Sequence, residues 1–321
     1  MGRLSRRDWF VGVGALSGGW VFQSHGPARG EEPQTNSGAS TGGFRFVHMT
    51  DLHVQPELKA AEGLAACLHH IQTLNPKPDF ILTGGDLIMD ALEQGENRAS
   101  SLFDLLKKVF RDNNDIPVRH CMGNHDVFGW GKKQGVTEDH PKFGKKMYLE
   151  KMELESPFYA FDHKGWRFFV LDSVQPSESQ LYQGGLDGPQ MDWFRQELAR
   201  KPAEMPGVVV THIPFLTVTV LPDTAKDNRF QIGTSIICAD SQRMAQIFAE
   251  NNIKLALSGH IHMVDEVNYR GVKFACSGAV SGRWWKGLHK GFPEGYAIID
   301  IANDGTISYQ YMPFGWQSVE S

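Results

Sequence analysis

Cysteine is scarce in this chain, with four in 321 residues. That excludes a fold stapled by disulfides. Cys67, Cys121 and Cys276 fall on a helix face and in strands, so they read as buried thiols. Cys238 falls in a loop. An excess of positive charge is also missing: Lys and Arg number 32 against 37 Asp and Glu, a net charge of −5. Residues 1–30 hold Arg3, Arg6, Arg7 and Arg29 against Asp8 alone, a local +3 that leaves −8 for the rest. An acidic body argues against long nucleic acid or an anionic membrane surface as partner. Long hydrophobic runs are absent too. The uncharged stretch over 11–22 has 12 residues, short of the roughly 20 that span a bilayer. No transmembrane anchor is therefore expected in the mature chain. No internal repeat is visible. What is present, 41% hydrophobic and 21% charged residues, is an ordinary globular composition.

The first thirty residues read as an address. Arg6-Arg7 precede Trp9-Phe10, then come the uncharged stretch and small residues. A basic region, a short apolar region and small residues, in that order, describe a secretory signal. The adjacent arginines with Phe10 three positions on resemble a twin-arginine signal, which implies the twin-arginine export machinery and a periplasmic or extracellular protein. Small residues suit cleavage after Gly26 or after Gly30. Residues 31–43 are polar and rich in Gly, Ser and Thr, a flexible linker. The expected organisation is a signal over 1–30, a linker over 31–43 and one catalytic domain over 44–321.

The body opens with alternating strand and helix. Strands are expected over 44–49, 79–83 and 116–121, and helices over 57–74 and 96–112. That rhythm suits a parallel sheet with crossover helices. The second half changes rhythm. Hairpins are expected over 158–172, 265–277 and 295–312, helices over 188–200 and 241–250, and strands over 207–211 and 253–258. A mixed assembly of sheets covered by helices fits this order better than a purely parallel fold.

The chemistry-bearing residues share one position in the pattern. Asp51 and His53, Asp86, Asn124 and His125, His212, and His260 and His262 lie in five loops, each following an expected strand. Loops after strand C-termini gather at one edge of an α/β sheet, where ligands bind. The donors are oxygen and imidazole with no thiolate, a set suited to Mn, Fe or Zn. Gly85, Gly123 and Gly259 stand beside them and let the loops turn tightly. A lone Asp-x-His or a lone His212 would read equally well as a surface or core residue. Five such loops in one chain would not.

Asp51-Leu52-His53, Gly85-Asp86, Gly123-Asn124-His125-Asp126, His212 and Gly259-His260-Ile261-His262 together resemble the five motifs of the calcineurin-like metallophosphoesterases. The resemblance runs from residue 44 to about 312. It implies an α/β fold, a β-sandwich of mixed sheets flanked by helices, and a centre of two divalent or Fe-type metal ions. Asp51, His53 and His262 would hold the first ion, Asn124, His212 and His260 the second, and Asp86 would bridge them. The implied reaction is in-line attack on phosphorus by a hydroxide that the two metals activate. His125 is the expected general acid for the leaving group, and Asp126 is expected to orient His125 or a metal-bound histidine.

Three positions depart from known branches of that family. Met89 stands where purple acid phosphatases place a tyrosine ligand, and a thioether suits ferric iron poorly. Met89-Asp90-Ala91 also replaces the Asp, Arg and Gly of the Ser/Thr protein phosphatases. The remaining likeness is to the bacterial branch near class III cyclic-nucleotide phosphodiesterases. Between the motifs, residues 127–157 bring Phe128, Trp130, Lys132, Lys133, Lys142, Lys145 and Lys146, which could draw in a phosphate or stack a base. Arg283 is a candidate substrate-phosphate fork, with Trp284 and Trp285 as a wall. The expected substrate is a phosphorylated small molecule, of phosphodiester or nucleotide type. Phosphomonoesters, including phosphoproteins, are the alternative. A non-catalytic binding protein with this fold is the alternative of another class, and it would be marked by a lost ligand; none of the seven is lost.

Overall fold

The computed structural model describes residues 43–226 and 228–319. The expected signal over 1–30, and the expected linker over 31–43 save for Gly43, lie outside the described residues. In chain order the elements are β1 (Phe44–Met49), α1 (Ala60–Gln72), β2 (Phe80–Thr83), α2 (Glu96–Asn113), β3 (Val118–Arg119), α3 (Lys146–Met152), β4 (Tyr159–His163), β5 (Trp166–Val170), β6 (Val174–Gln175), β7 (Gln183–Gly184), α4 (Gly188–Arg200), β8 (Gly207–Val210), α5 (Leu221–Thr224), β9 (Ala225–Lys226), β10 (Arg229–Phe230), α6 (Ser241–Glu250), β11 (Ile253–Ser258), β12 (Asp265–Tyr269), β13 (Val272–Cys276), β14 (Gly295–Ile301) and β15 (Ile307–Pro313).

Two mixed sheets carry the fold. One has five strands in the order β15-β14-β1-β2-β3, the other six in the order β12-β13-β11-β8-β5-β4. Each keeps parallel strands inside, β1, β2 and β3 in one and β5, β8, β11 and β13 in the other. Antiparallel hairpin strands close three of the four edges, and β3, parallel to β2, forms the fourth. This is the mixed α/β assembly flanked by helices that the sequence pattern predicts.

Strand alternation explains the layers. Phe44 and Phe46 of β1, Phe168 and Val170 of β5, Val208 and Val210 of β8, and Leu255 and Leu257 of β11 point between the sheets. Phe46 stacks on Phe80 at 5.1 Å and meets Phe168 edge-on at 5.4 Å. The alternate residues, Val47, Ile81, Phe169 and Val209, face outward into the cores under the helices. Strands buried on both faces read as near-continuous apolar runs, and the burial of β2 and β8 at every residue agrees.

Element ends differ from the expectation where the backbone has a local reason. The first helix begins at Ala60 rather than at 57, because Leu58 and Lys59 hold φ values of +57° and +53°. Left-handed residues cannot continue a right-handed helix. β3 has two residues instead of six. The Cys121 N–H donates to the Thr83 hydroxyl at 3.1 Å, so a side chain replaces the next rung of the ladder. The helix α3 lies inside the 127–157 segment and buries Met147 and Tyr148. That segment is not a free basic loop. Lys132 pairs with Glu138, Lys133 with Glu93, Lys142 with Glu96 and Glu150, and Lys145 with the buried Asp172. All four cysteines are buried and free.

Candidate metal centre

The five loops meet at one edge of the sandwich because the parallel strands before them all end there. Backbone bonds stitch them together. Asp51 N–H donates to the Gly85 carbonyl at 3.0 Å, His53 N–H to that of Asp86 at 3.0 Å, Gly259 N–H to that of His212 at 3.0 Å, and Ser281 N–H to that of Asp51 at 3.2 Å. The ligand-bearing residues also share a strained backbone. Asp51, His53, Asp86, His260 and His262 all have positive φ, from +42° to +73°. Non-glycine residues in this region cost about 1–3 kcal/mol each and persist only where the surroundings fix them. Such a concentration at one site is a mark of function rather than of folding.

The glycines contribute mainly by what they lack. A Cβ on Gly259 would stand 1.9 Å from Thr50 Oγ1 and 2.5 Å from Asp51 Oδ2. A Cβ on Gly123 would stand 2.1 Å from the Asp86 backbone nitrogen and Oδ1. Of the three glycines beside the ligands, only Gly85 has positive φ, at +92°. Close approach, more than turn geometry, demands glycine here.

All seven expected ligands converge. Asp51, His53 and His262 form one group of donor atoms within reach of a single ion, and Asp86, His212 and His260 form another. Asn124 joins the second through Oδ1, 3.0 Å from His212 Nε2. Asp86 Oδ2 lies 3.6 Å from His53 Nε2 and 3.2 Å from His212 Nε2, so one carboxylate oxygen faces both groups. Its other oxygen accepts the His125 backbone N–H at 2.8 Å. Asp51 Oδ2 accepts the Thr50 hydroxyl at 2.7 Å and the His260 N–H at 3.0 Å.

The imidazoles are turned by backbone carbonyls. His262 Nδ1 donates to Gly282 O at 2.6 Å, His212 Nδ1 to Gly84 O at 2.8 Å and His260 Nε2 to Ser235 O at 2.8 Å. Each bond places a proton on the nitrogen that faces the carbonyl and turns the other ring nitrogen inward. There His53 Nε2 and His262 Nε2 stand 3.1 Å apart, and His260 Nδ1 and His212 Nε2 stand 3.2 Å apart. Two ring nitrogens facing each other at that distance repel unless a proton or a cation lies between them. No lysine or arginine forms an ion pair with Asp51 or Asp86 among the described residues. Burial opposes charge on Asp86, yet the neighbouring His212 and His125 outweigh it and hold the carboxyl well below its usual range. Burial likewise lowers His212, and the Asp86 carboxylate reverses this and holds it up at about 9. Two buried carboxylates thus require positive charge in their midst. The buried His/Asp groups suit a binuclear metal site.

His125 stands at the rim. Its ring meets His53 edge-on at 4.8 Å, and its Nδ1 is buried with no partner among the described residues. Asp126 is placed otherwise than expected. Its Oδ1 accepts the N–H groups of Leu87 at 2.9 Å and Ile88 at 3.2 Å, and its Oδ2 accepts that of Gly123 at 2.8 Å. It orients the loops that carry Asp86 and Asn124, not a histidine. Arg283 is exposed, with its guanidinium 3.4 Å from the Lys286 carbonyl. The two tryptophans divide. Trp285 is fully buried, while Trp284 lies 4.7 Å from the His262 ring. The sequence reading missed Thr50 and the carbonyls of Gly84, Ser235 and Gly282. Backbone carbonyls leave no trace in residue identity.

Residues 44–264 match the family described as calcineurin-like phosphoesterase. Among curated relatives, the chain is 27% identical to a serine/threonine-protein phosphatase CPPED1 of Bos taurus, over 70% of this chain and 66% of that protein. It is 25% identical to a probable cyclic nucleotide phosphodiesterase of Rhodococcus erythropolis, over 71% of this chain and 67% of that one. It is 26% identical to a probable glycerophosphodiester phosphodiesterase GpdQ of Arcobacter nitrofigilis, over 68% and 71%. The chain thus spans about two thirds of the length of the curated relatives it matches. Among solved structures, a dimetal phosphatase from Danio rerio superposes with a TM-score of 0.58 at 12% identity, over 86% of this chain and 98% of that one. GAP50, an anchor in the inner membrane complex of Plasmodium, superposes at 0.53 with 14% identity, over 85% of each chain. These two show likeness of fold alone, since one fold hosts both chemistry and anchoring.

Proposed function

This chain belongs to the calcineurin-like phosphoesterase family and is a hydrolase of phosphoric esters, and from that premise we propose that it cleaves phosphodiesters of small molecules at a centre built by Asp51, His53, Asp86, Asn124, His212, His260 and His262. The observation that carries this reading is Asp86 Oδ2, placed 3.6 Å from His53 Nε2 and 3.2 Å from His212 Nε2 between two donor groups. When bound, two metal ions supply an activated water and offset charge on the phosphoryl oxygens. The chain's own residues do the rest. Asp51, His53 and His262 would hold one ion and Asn124, His212 and His260 the other, with Asp86 between the two groups. The carbonyls of Gly84, Ser235 and Gly282 keep the other ring nitrogens aimed inward. His125 stands beside His53 and hands a proton to the leaving alkoxide as general acid. Arg283 would close on the substrate phosphate by a change of side-chain rotamer.

The test uses manganese-loaded protein and two substrates, 4-nitrophenyl phosphate and bis(4-nitrophenyl) phosphate. The expected outcome is faster turnover of the diester, with Asp86→Ala at background on both. Faster turnover of the monoester would favour the phosphatase alternative, which the likeness to CPPED1 supports. No turnover above Asp86→Ala would sink the catalytic reading.

We also propose export through the twin-arginine route, on the strength of Arg6-Arg7 and the short apolar stretch that follows. In a bacterial host with that machinery, replacing both arginines by lysine is expected to strand the protein in the cytoplasm. Unchanged periplasmic recovery would argue for another route.

A further inference from the structure

Beside the His260 and His262 half of the centre lies a cavity of about 220 Å³, walled mainly by Val220, Ile236, Ile261, Met263 and Trp284, with His289 and Lys290 at its polar side. The two metal-site histidines line it as well, so it adjoins the centre on their side. Its apolar wall is built rather than incidental. Val220, Ile261 and Met263 form a separate small core with Cys276, and Ile236 packs against it.

Trp284 is the other wall, and its placement is strained. It holds φ +50°, and Trp285 after it holds +67°. Large side chains enter this region only when the structure forces them. The forcing comes from Trp285. Its Nε1 donates to the carbonyls of Leu52 at 3.0 Å and His53 at 3.1 Å. Its ring fills the space over Gly63, where a Cβ would stand 2.2 Å away. This anchor turns the Trp284 indole back over the ligands, 4.7 Å from the His262 ring and 5.9 Å from that of His53. His289 meets Trp284 edge-on at 5.9 Å and closes the rim.

Building on the hydrolase reading, we propose that this cavity is a subsite for the second ester group of the phosphodiester, and that this group is a single apolar ring stacked on Trp284. Size sets the limit. An apolar cavity of about 150 Å³ accepts benzene, and drug-sized ligands need roughly 300 Å³ or more. The volume here suits one ring and a short linker, not a lipid tail. Position sets the role. His125, the proton donor, does not line the cavity and packs against His53, which does not line it either. The leaving alcohol therefore departs towards His125. Water adds its oxygen to phosphorus, the P–O bond to that alcohol breaks, and the alcohol takes up the proton. The ring-bearing ester stays behind on the monoester product.

Two measurements separate this subsite from the hydrolase reading. The first is calorimetry of phenylphosphonate and methylphosphonate on manganese-loaded protein, a binding readout that needs no turnover. Phenylphosphonate is expected to bind about tenfold tighter or more, the scale that one apolar group gains in a fitted pocket. That ratio should fall towards one in Trp284→Ala and in Ile236→Trp, which fills the cavity from the opposite wall, and be largely kept in Trp284→Phe. The second compares phenyl 4-nitrophenyl phosphate with methyl 4-nitrophenyl phosphate, which share a leaving group. A matching preference for the phenyl ester in kcat/KM is expected. Equal affinities for the two phosphonates would overturn the subsite and leave the hydrolase standing. Selective phosphonate binding with neither diester cleaved above Asp86→Ala would remove the hydrolase reading and the diester assignment with it.

Discussion

Three backbone N–H groups converge on Asp126, and the consequences can be measured one residue at a time. Burial and the neighbouring Asp86 carboxylate push Asp126 up to about 8, against N–H donors that favour its charged form. Asp126→Ala would leave the three donors buried without an acceptor, at about 1–3 kcal/mol each where water cannot reach them. The expected result is a lower melting temperature together with reduced metal content by elemental analysis. Asp126→Asn keeps an acceptor oxygen and should recover part of both. An Asp126→Ala protein with unchanged melting and full metal would show that the bonds between loops are dispensable. The residue types at this site were legible in the sequence because metal chemistry restricts the choice to a few side chains. What each side chain touches was not. Asp126 stands next to His125 in the chain, yet its carboxylate turns to the neighbouring loop.

At the scale of elements, the motif loops are held by contacts made far from the chemistry. The helix α1 places Gly63 against the Trp285 ring, and that ring sets the direction of the 281–287 loop, whose Gly282 carbonyl orients His262. Gly63→Ala is a useful probe because two effects oppose. Alanine improves an α-helix interior by up to about 1 kcal/mol, while overpacking a filled core costs about 1–3 kcal/mol. With the Cβ placed 2.2 Å from the indole, the steric cost should win. The expected outcome is a net loss of stability with a shifted tryptophan emission spectrum. A stabilised protein with unaltered emission would mean that the anchor yields without cost. Helix and strand spans were well predicted where periodicity was strong, as in α4 and α6. They were misjudged where local backbone intervened, as at Leu58 and Lys59. They were missed where a short helix buries only a few side chains, as in α3.

The whole molecule balances a buried negative centre against an acidic body. Asp51 and Asp86 are buried, and their only ion-pair partners among the described residues are histidines. Cations that bind only the folded chain stabilise it by mass action, about 2.7 kcal/mol at a concentration a hundredfold above Kd. Chelation is therefore expected to lower the melting temperature by several degrees, and manganese or zinc should restore it. A melting temperature indifferent to chelator and to added metal would contradict a binuclear centre.

Sequence by itself determined the donor set, the order of the five loops, the mixed α/β class and the reading of a phosphoester hydrolase. The first three are fixed by residue identity and by apolar periodicity, both of which are local, and the last is what the resemblance of the five motifs to a known family implies. Tertiary structure alone decided that Asp86 Oδ2 faces both donor groups, that carbonyls of three distant loops orient the histidine rings, and that Lys132, Lys133, Lys142 and Lys145 pair with carboxylates. It also separated Trp284 from Trp285, two identical neighbours with opposite fates. Those outcomes depend on the packing of two sheets and on left-handed backbone that the assembled site enforces, neither of which a linear pattern of residues records.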